Sequence, residues 1–144
     1  MNKFKRFERF ALKVHRALPK KYRMDIYYTY GSDEVYLDTN GDFISIGTII
    51  VEKDFERACI SLLHEYGHRI VRVENILEFN YYDHYQWCRY FKITNKRKED
   101  ECLAWIFAMQ IYDNITTPFT KQTFNQWMKK CLNSYDINTK ELHG

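Results

Sequence analysis

The chain has only 2 Pro and 5 Gly among 144 residues, so it holds no Gly/Pro-rich linker to divide it, and its length suits one domain. Its four cysteines, Cys59, Cys88, Cys102 and Cys131, form no CxxC pair. That argues against a zinc knuckle and against a dense disulfide framework, leaving reduced and mostly buried thiols as the expectation. No apolar run approaches the roughly 18 to 20 residues of a membrane span, so integral membrane association is not expected. At the start, Lys3, Lys5, Arg6 and Arg9 interrupt Phe4, Phe7 and Phe10, and no apolar core of about 7 to 15 residues marks a signal peptide. A cytoplasmic location is expected on that ground.

Aromatic residues are abundant instead, with 12 Tyr, 10 Phe and 3 Trp, which supplies ample surface for a folded core. The formal net charge of +3 conceals an asymmetry. Residues 1–23 carry nine Lys/Arg against Glu8 alone, a local balance of +8 that leaves −5 for the remainder. A basic N-terminal helix, about residues 1–20, is therefore the place to look for contact with nucleic acid, an acidic partner or a membrane surface, beside the simpler reading of a solvated face.

Phe4, Phe7, Ala11, Val14 and Leu18 recur at helical spacing up to Pro19. Residues 26–30 read as a strand, and Val35-Tyr36-Leu37-Asp38 and Phe43-Ile44-Ser45-Ile46 read as a hairpin across Asn40-Gly41, a dipeptide that tolerates positive φ. After Val51 the period lengthens to about 3.6, giving a helix apolar around most of its circumference through Phe55, Leu62, Leu63, Tyr66 and Ile70. An aromatic helix over 79–93, a helix from Glu99 to Tyr112 and a last one from Lys121 to Leu132 follow, and residues 133–144 read as a loose tail. The expected class is α+β. It comprises one minimal zincin-like domain over 1–144, with the N-terminal helix, a short mainly antiparallel three-stranded sheet, the central helix, a glutamate-bearing helix and a C-terminal helix.

The central helix contains His64-Glu65-Tyr66-Gly67-His68. Residues four apart on a helix lie on one face, so His64 and His68 can hold one metal ion with Glu65 beside it. A catalytic zinc site usually has a third protein ligand. Glu101 is the strongest candidate, because Ala104, Trp105, Ala108 and Ile111 continue its helix face and the small Ala104 and Ala108 permit close approach to the metal helix. His84, four residues before Cys88, is a weaker candidate. Glu99 and Asp100 are read as first-turn acids complementing the helix dipole. Gly67 costs its helix about 1 kcal/mol relative to Ala, which implies that another backbone or a substrate passes close there.

HEYGH, followed after 33 residues by Glu101-Cys102-Leu103-Ala104-Trp105-Ile106-Phe107-Ala108, resembles the HExGH and ExxAxxFA pair of gluzincin metallopeptidases, most closely the ImmA/IrrE type. The resemblance covers about residues 43–112. It departs at Met109-Gln110-Ile111-Tyr112, where the family continues with a Leu-Leu-Met-Pro-like end. It implies one zinc ion held by His64, His68 and Glu101, with Glu65 as the catalytic residue. It also implies a protein substrate such as a repressor of a phage or mobile element. The strand over 43–51 is a candidate edge for an extended substrate, and Tyr81, Tyr82, His84 and Tyr85 are candidate oxyanion donors. The competing expectation is a non-catalytic, zinc-stabilised binding module that uses its basic N-terminal helix.

Overall fold

The protein is represented by a computed structural model describing residues 3–29, 34–39, 42–48, 55–74, 76 and 97–134, with side chains placed for 5–24, 55–74, 76 and 98–134. The first helix, α1 (Lys3–Ala17), is amphipathic. Phe7, Phe10, Ala11 and Val14 are buried at intervals of three and four, while Arg6, Arg9, Lys13 and Arg16 stay exposed. It stops where Leu18 bonds back to Val14 and Pro19, lacking an N–H, cannot continue the ladder. A single 3₁₀ turn, Lys20–Tyr22, follows.

α2 (Phe55–Val73) is the centre of the molecule. Ala58, Cys59, Leu62, Leu63, Tyr66 and Val71 are all essentially inaccessible, so the helix is covered on several sides. α3 (Arg97–Asn114) makes the most extensive pairing with it and buries Ala104, Trp105, Ala108 and Ile111. α4 (Lys121–Asn133) begins at Thr120, whose hydroxyl accepts from the Thr123 N–H at 3.2 Å, and it buries Phe124, Met128 and Leu132 one turn apart. Each of these side chains contributes about 1.5–3 kcal/mol by leaving water. Phe124 meets Trp105 edge-on with ring centroids 5.6 Å apart, which ties α4 to the helix carrying Glu101.

The turn between α3 and α4 is held from both sides. Tyr112 Oη and Thr117 Oγ1 donate to the Phe119 carbonyl at 3.2 and 2.8 Å, and Lys13 Nζ donates to the Thr116 carbonyl at 2.7 Å. At the other end of α2, Tyr22 donates to Glu74, and Lys21 pairs with the same carboxylate at 2.6 Å. This pair is solvated and stabilises little.

Between Met24 and α2 the backbone passes through β1 (Asp25–Thr29), β2 (Glu34–Thr39) and β3 (Asp42–Thr48), paired antiparallel in that order. The expected α+β class is nevertheless corrected. Of the residues whose side chains are placed, 83% are helical, in four helices and no strand, and these build the core. Hairpin signals such as Asn-Gly report which neighbouring segments pair, whereas class depends on which elements share a core. Here α1 and α4 supply Phe7, Phe10, Val14, Phe124 and Leu132 against α2 and α3, so the described core is closed by helices. The expected aromatic helix over 79–93 and the tail from 135 onward lie outside the described residues. Among the described residues, no helix is long and apolar enough to cross a membrane.

Candidate metal centre

His64 and His68 lie one turn apart on α2 and turn toward α3, their rings 4.5 Å apart between centroids. Glu101, in the first turns of α3, meets both. Its Oε2 accepts from His64 Nε2 at 2.9 Å, and its Oε1 faces His68 Nε2 at 3.3 Å. One donor atom from each residue falls within 4.8 Å of the others, so the three could hold a metal ion. With bonds of about 2.0–2.2 Å, neighbouring ligand atoms of a tetrahedral zinc ion lie roughly 3.3–3.6 Å apart, and the two imidazole–carboxylate separations, 2.9 and 3.3 Å, are of that order. Two imidazoles and a carboxylate are the nitrogen and oxygen donors that zinc accepts, and the residues present fit such an ion.

The close approach of the helices depends on Gly67. A Cβ at this position would lie 2.0 Å from the Ala104 carbonyl oxygen and 2.7 Å from its carbonyl carbon, so a side chain of any size meets backbone. Gly67 adjoins His68, and Ala104 is one turn beyond Glu101. The contact therefore sits at the level of the three ligand candidates and sets their separation.

Two neighbours complete the geometry. Asp100, 4% exposed, places Oδ2 2.8 Å from His68 Nδ1, which holds the ring so that Nε2 points at Glu101. Trp105 stacks on His64 with centroids 4.3 Å apart and planes inclined by 12°. Reading the sequence missed both roles. From sequence, Asp100 reads with Glu99 as a first-turn acid for the helix dipole, yet it stands four residues before Ala104, on the same buried stripe. That spacing was the available signal. Trp105 is expected on the Glu101 face, but nothing in the sequence separates a core residue from a platform for His64.

Glu65 is the next residue after His64, with Oε1 3.9 Å from His64 Nδ1, beyond hydrogen-bonding distance. Burial raises its pKa, against the opposing effect of the two imidazoles. Burial disfavours the charged form of His68, but the carboxylates of Asp100 and Glu101 outweigh it and raise the pKa well above the usual value. Glu101 shows the converse: burial pushes its pKa up, and His68 and His64 pull it far below the ordinary carboxylate range. The metal-free centre is thus a buried cation-carboxylate cluster, in which a divalent ion can replace protons.

Tyr81, Tyr82, His84, Tyr85 and Cys88 lie outside the described residues. Of the other thiols, Cys59 is buried and Cys102 and Cys131 are half-buried, all unbridged. Among the described residues no fourth Cys, His, Asp or Glu joins the ligand group. Comparison with family models, with curated proteins and with solved structures finds no match to this chain.

Proposed function

We propose that this chain is a zinc-dependent metallopeptidase of gluzincin type, with His64, His68 and Glu101 as ligands and Glu65 as general base. The convergence of Glu101 from α3 on the two histidines of α2 carries this reading, because Glu65 is left beside the cluster without being one of its ligand candidates. Among the described residues three protein ligands meet here, the number used by catalytic zinc sites, whereas structural sites close with four. His64 and Glu65 keep 15% and 14% of their side-chain surface accessible, so solvent and substrate have a route in. Both features favour a catalytic centre over a zinc-stabilised binding module.

A bound Zn²⁺ supplies a Lewis acid and lowers the pKa of water from 15.7 to about 7. Glu65 takes the proton from the attacking water as its oxygen bonds to the peptide carbon, then passes that proton to the departing amine as the C–N bond breaks. Asp100 keeps His68 in one tautomer, and Trp105 fixes the plane of His64.

The test is a pair of proteins loaded with zinc and incubated with a peptide mixture, new termini being identified by mass spectrometry. The parent should generate new termini. Glu65→Gln should retain zinc and the parent's melting temperature yet generate none. A zinc-loaded parent that produces no new termini, or a Glu65→Gln variant that produces the same ones, overturns the proposal.

A further inference from the structure

A groove of about 450 Å³ runs between α1 and the turn joining α3 to α4, within the roughly 300–1,000 Å³ range of ligand clefts. Arg6, Arg9 and Lys13 line it from α1, and Phe10, Phe55 and Pro118 contribute apolar surface. Among the described residues, no acidic one lines it. Among the described residues none of the three cations enters an ion pair, although α1 buries its other face against the core. Three unneutralised cations around one concave surface call for an anionic occupant.

We infer that this groove binds an acidic polypeptide segment, whose carboxylates pair with Arg6, Arg9 and Lys13 while its chain lies against the opposite wall at Thr116 and Pro118. Spacing permits this. Arg6 and Lys13 are separated by about 10.5 Å along the helix, and carboxylates two residues apart on an extended peptide are about 6.7 Å apart, within reach of the long basic side chains. Arg6 already lies over the Phe55 ring at 4.3 Å, which positions its guanidinium at the groove wall. Lys13 uses one of its three donors on the Thr116 carbonyl, which draws its ammonium toward the opposite wall.

Nucleic acid fits less well. Single-stranded binding relies on exposed aromatic faces, yet Phe10 and Phe55 are 4% and 7% exposed, and Arg6 covers the latter. The groove binds such segments whether or not the chain cleaves them. Phe55 lies nine residues before His64, about 13.5 Å along α2, a distance spanned by roughly four extended residues.

Fluorescence anisotropy with labelled Gly-(Glu-Ala-Glu-Leu)₃ at 150 mM salt tests the inference. The same peptide with Gln for Glu, a 16-nucleotide oligothymidylate and a 16-base-pair duplex are the comparison probes. The acidic peptide should bind at least tenfold more tightly than any of them. The triple variant Arg6→Gln, Arg9→Gln, Lys13→Gln should weaken it at least tenfold, whereas Arg16→Gln, Lys20→Gln, Lys129→Gln, which removes equal charge from other exposed positions, should change it less than twofold. Should the first triple variant lose its helical circular dichroism, Arg9→Glu alone replaces it, with at least a fivefold loss expected. Tighter binding of either nucleic acid, equal losses in both triple variants, or an unchanged affinity in the groove variant overturns the inference.

Discussion

Replacing Gly67 with Ala tests how the two central helices are brought together, because two effects of opposite sign compete. In an exposed helix the change stabilises by about 1 kcal/mol, since Ala is the better helix former. Here the new methyl would lie 2.0 Å from the Ala104 carbonyl oxygen, against an ordinary contact of at least 3.4 Å. The shortfall of about 1.4 Å cannot be relieved by rotating a side chain, since the obstacle is backbone. Overpacking costs about 1–3 kcal/mol or more, and an obstacle of this kind belongs at the upper end. A net loss of about 2 kcal/mol is expected, and at about 4 °C per kcal/mol for a chain of this size the melting temperature should fall by about 8 °C. Displacing α3 also carries Glu101 away from His64 and His68 by far more than the tolerance of about 0.2 Å in a metal–ligand bond, so zinc affinity should fall at least tenfold. Thermal melts with and without zinc, together with a competitive zinc titration, measure both effects. A Gly67→Ala protein that melts at or above the parent temperature refutes the reasoning, since propensity alone would then govern the site.

Two further outcomes are expected. Asp100→Ala should weaken zinc binding by about 10- to 100-fold while Asp100→Asn, which keeps an acceptor for His68 Nδ1, loses less; equal affinities in parent and Asp100→Ala would remove Asp100 from the centre. In metal-free protein, the stability that His68 draws from Asp100 and Glu101 is fully present below its ordinary value of 6.5 and is lost as pH rises through its raised folded value. That drawn by Glu101 is present above 4.5 and is lost as pH falls through its lowered one. Metal-free melting temperature should therefore decline from pH 6 to pH 9, and the increment gained on adding zinc should grow over the same interval, as scanning calorimetry would record. A metal-free melting temperature that rises over this range contradicts the assignment of these charges.

How much could be read before the structure depended on whether the signal was local. His64 and His68 are one turn apart on any helix, so their shared face follows from spacing alone. Glu101 carries a weaker signal, the small-residue stripe of Ala104 and Ala108, which indicates that α3 can approach α2 closely. The sequence does not separate Asp100 from Glu99, because that distinction depends on the rotation of α3 about its own axis, and tertiary packing decides it. Trp105 was legible as apolar but not as the surface on which His64 rests. The α+β class rested on the hairpin signal around Asn40-Gly41, which concerns neighbouring segments only. It could not show that Phe7, Phe124 and Leu132, distant in sequence, would meet in the helical core.

The measurement closest to the central claim is anomalous diffraction at the zinc edge from crystals of the zinc-loaded protein. A single peak should lie about 2.0–2.2 Å from His64 Nε2, His68 Nε2 and a carboxylate oxygen of Glu101, with Asp100 still on His68 Nδ1 and Glu65 outside the ligand set. A peak ligated by other residues, or one bound to the histidines with Glu101 turned away, would contradict the account.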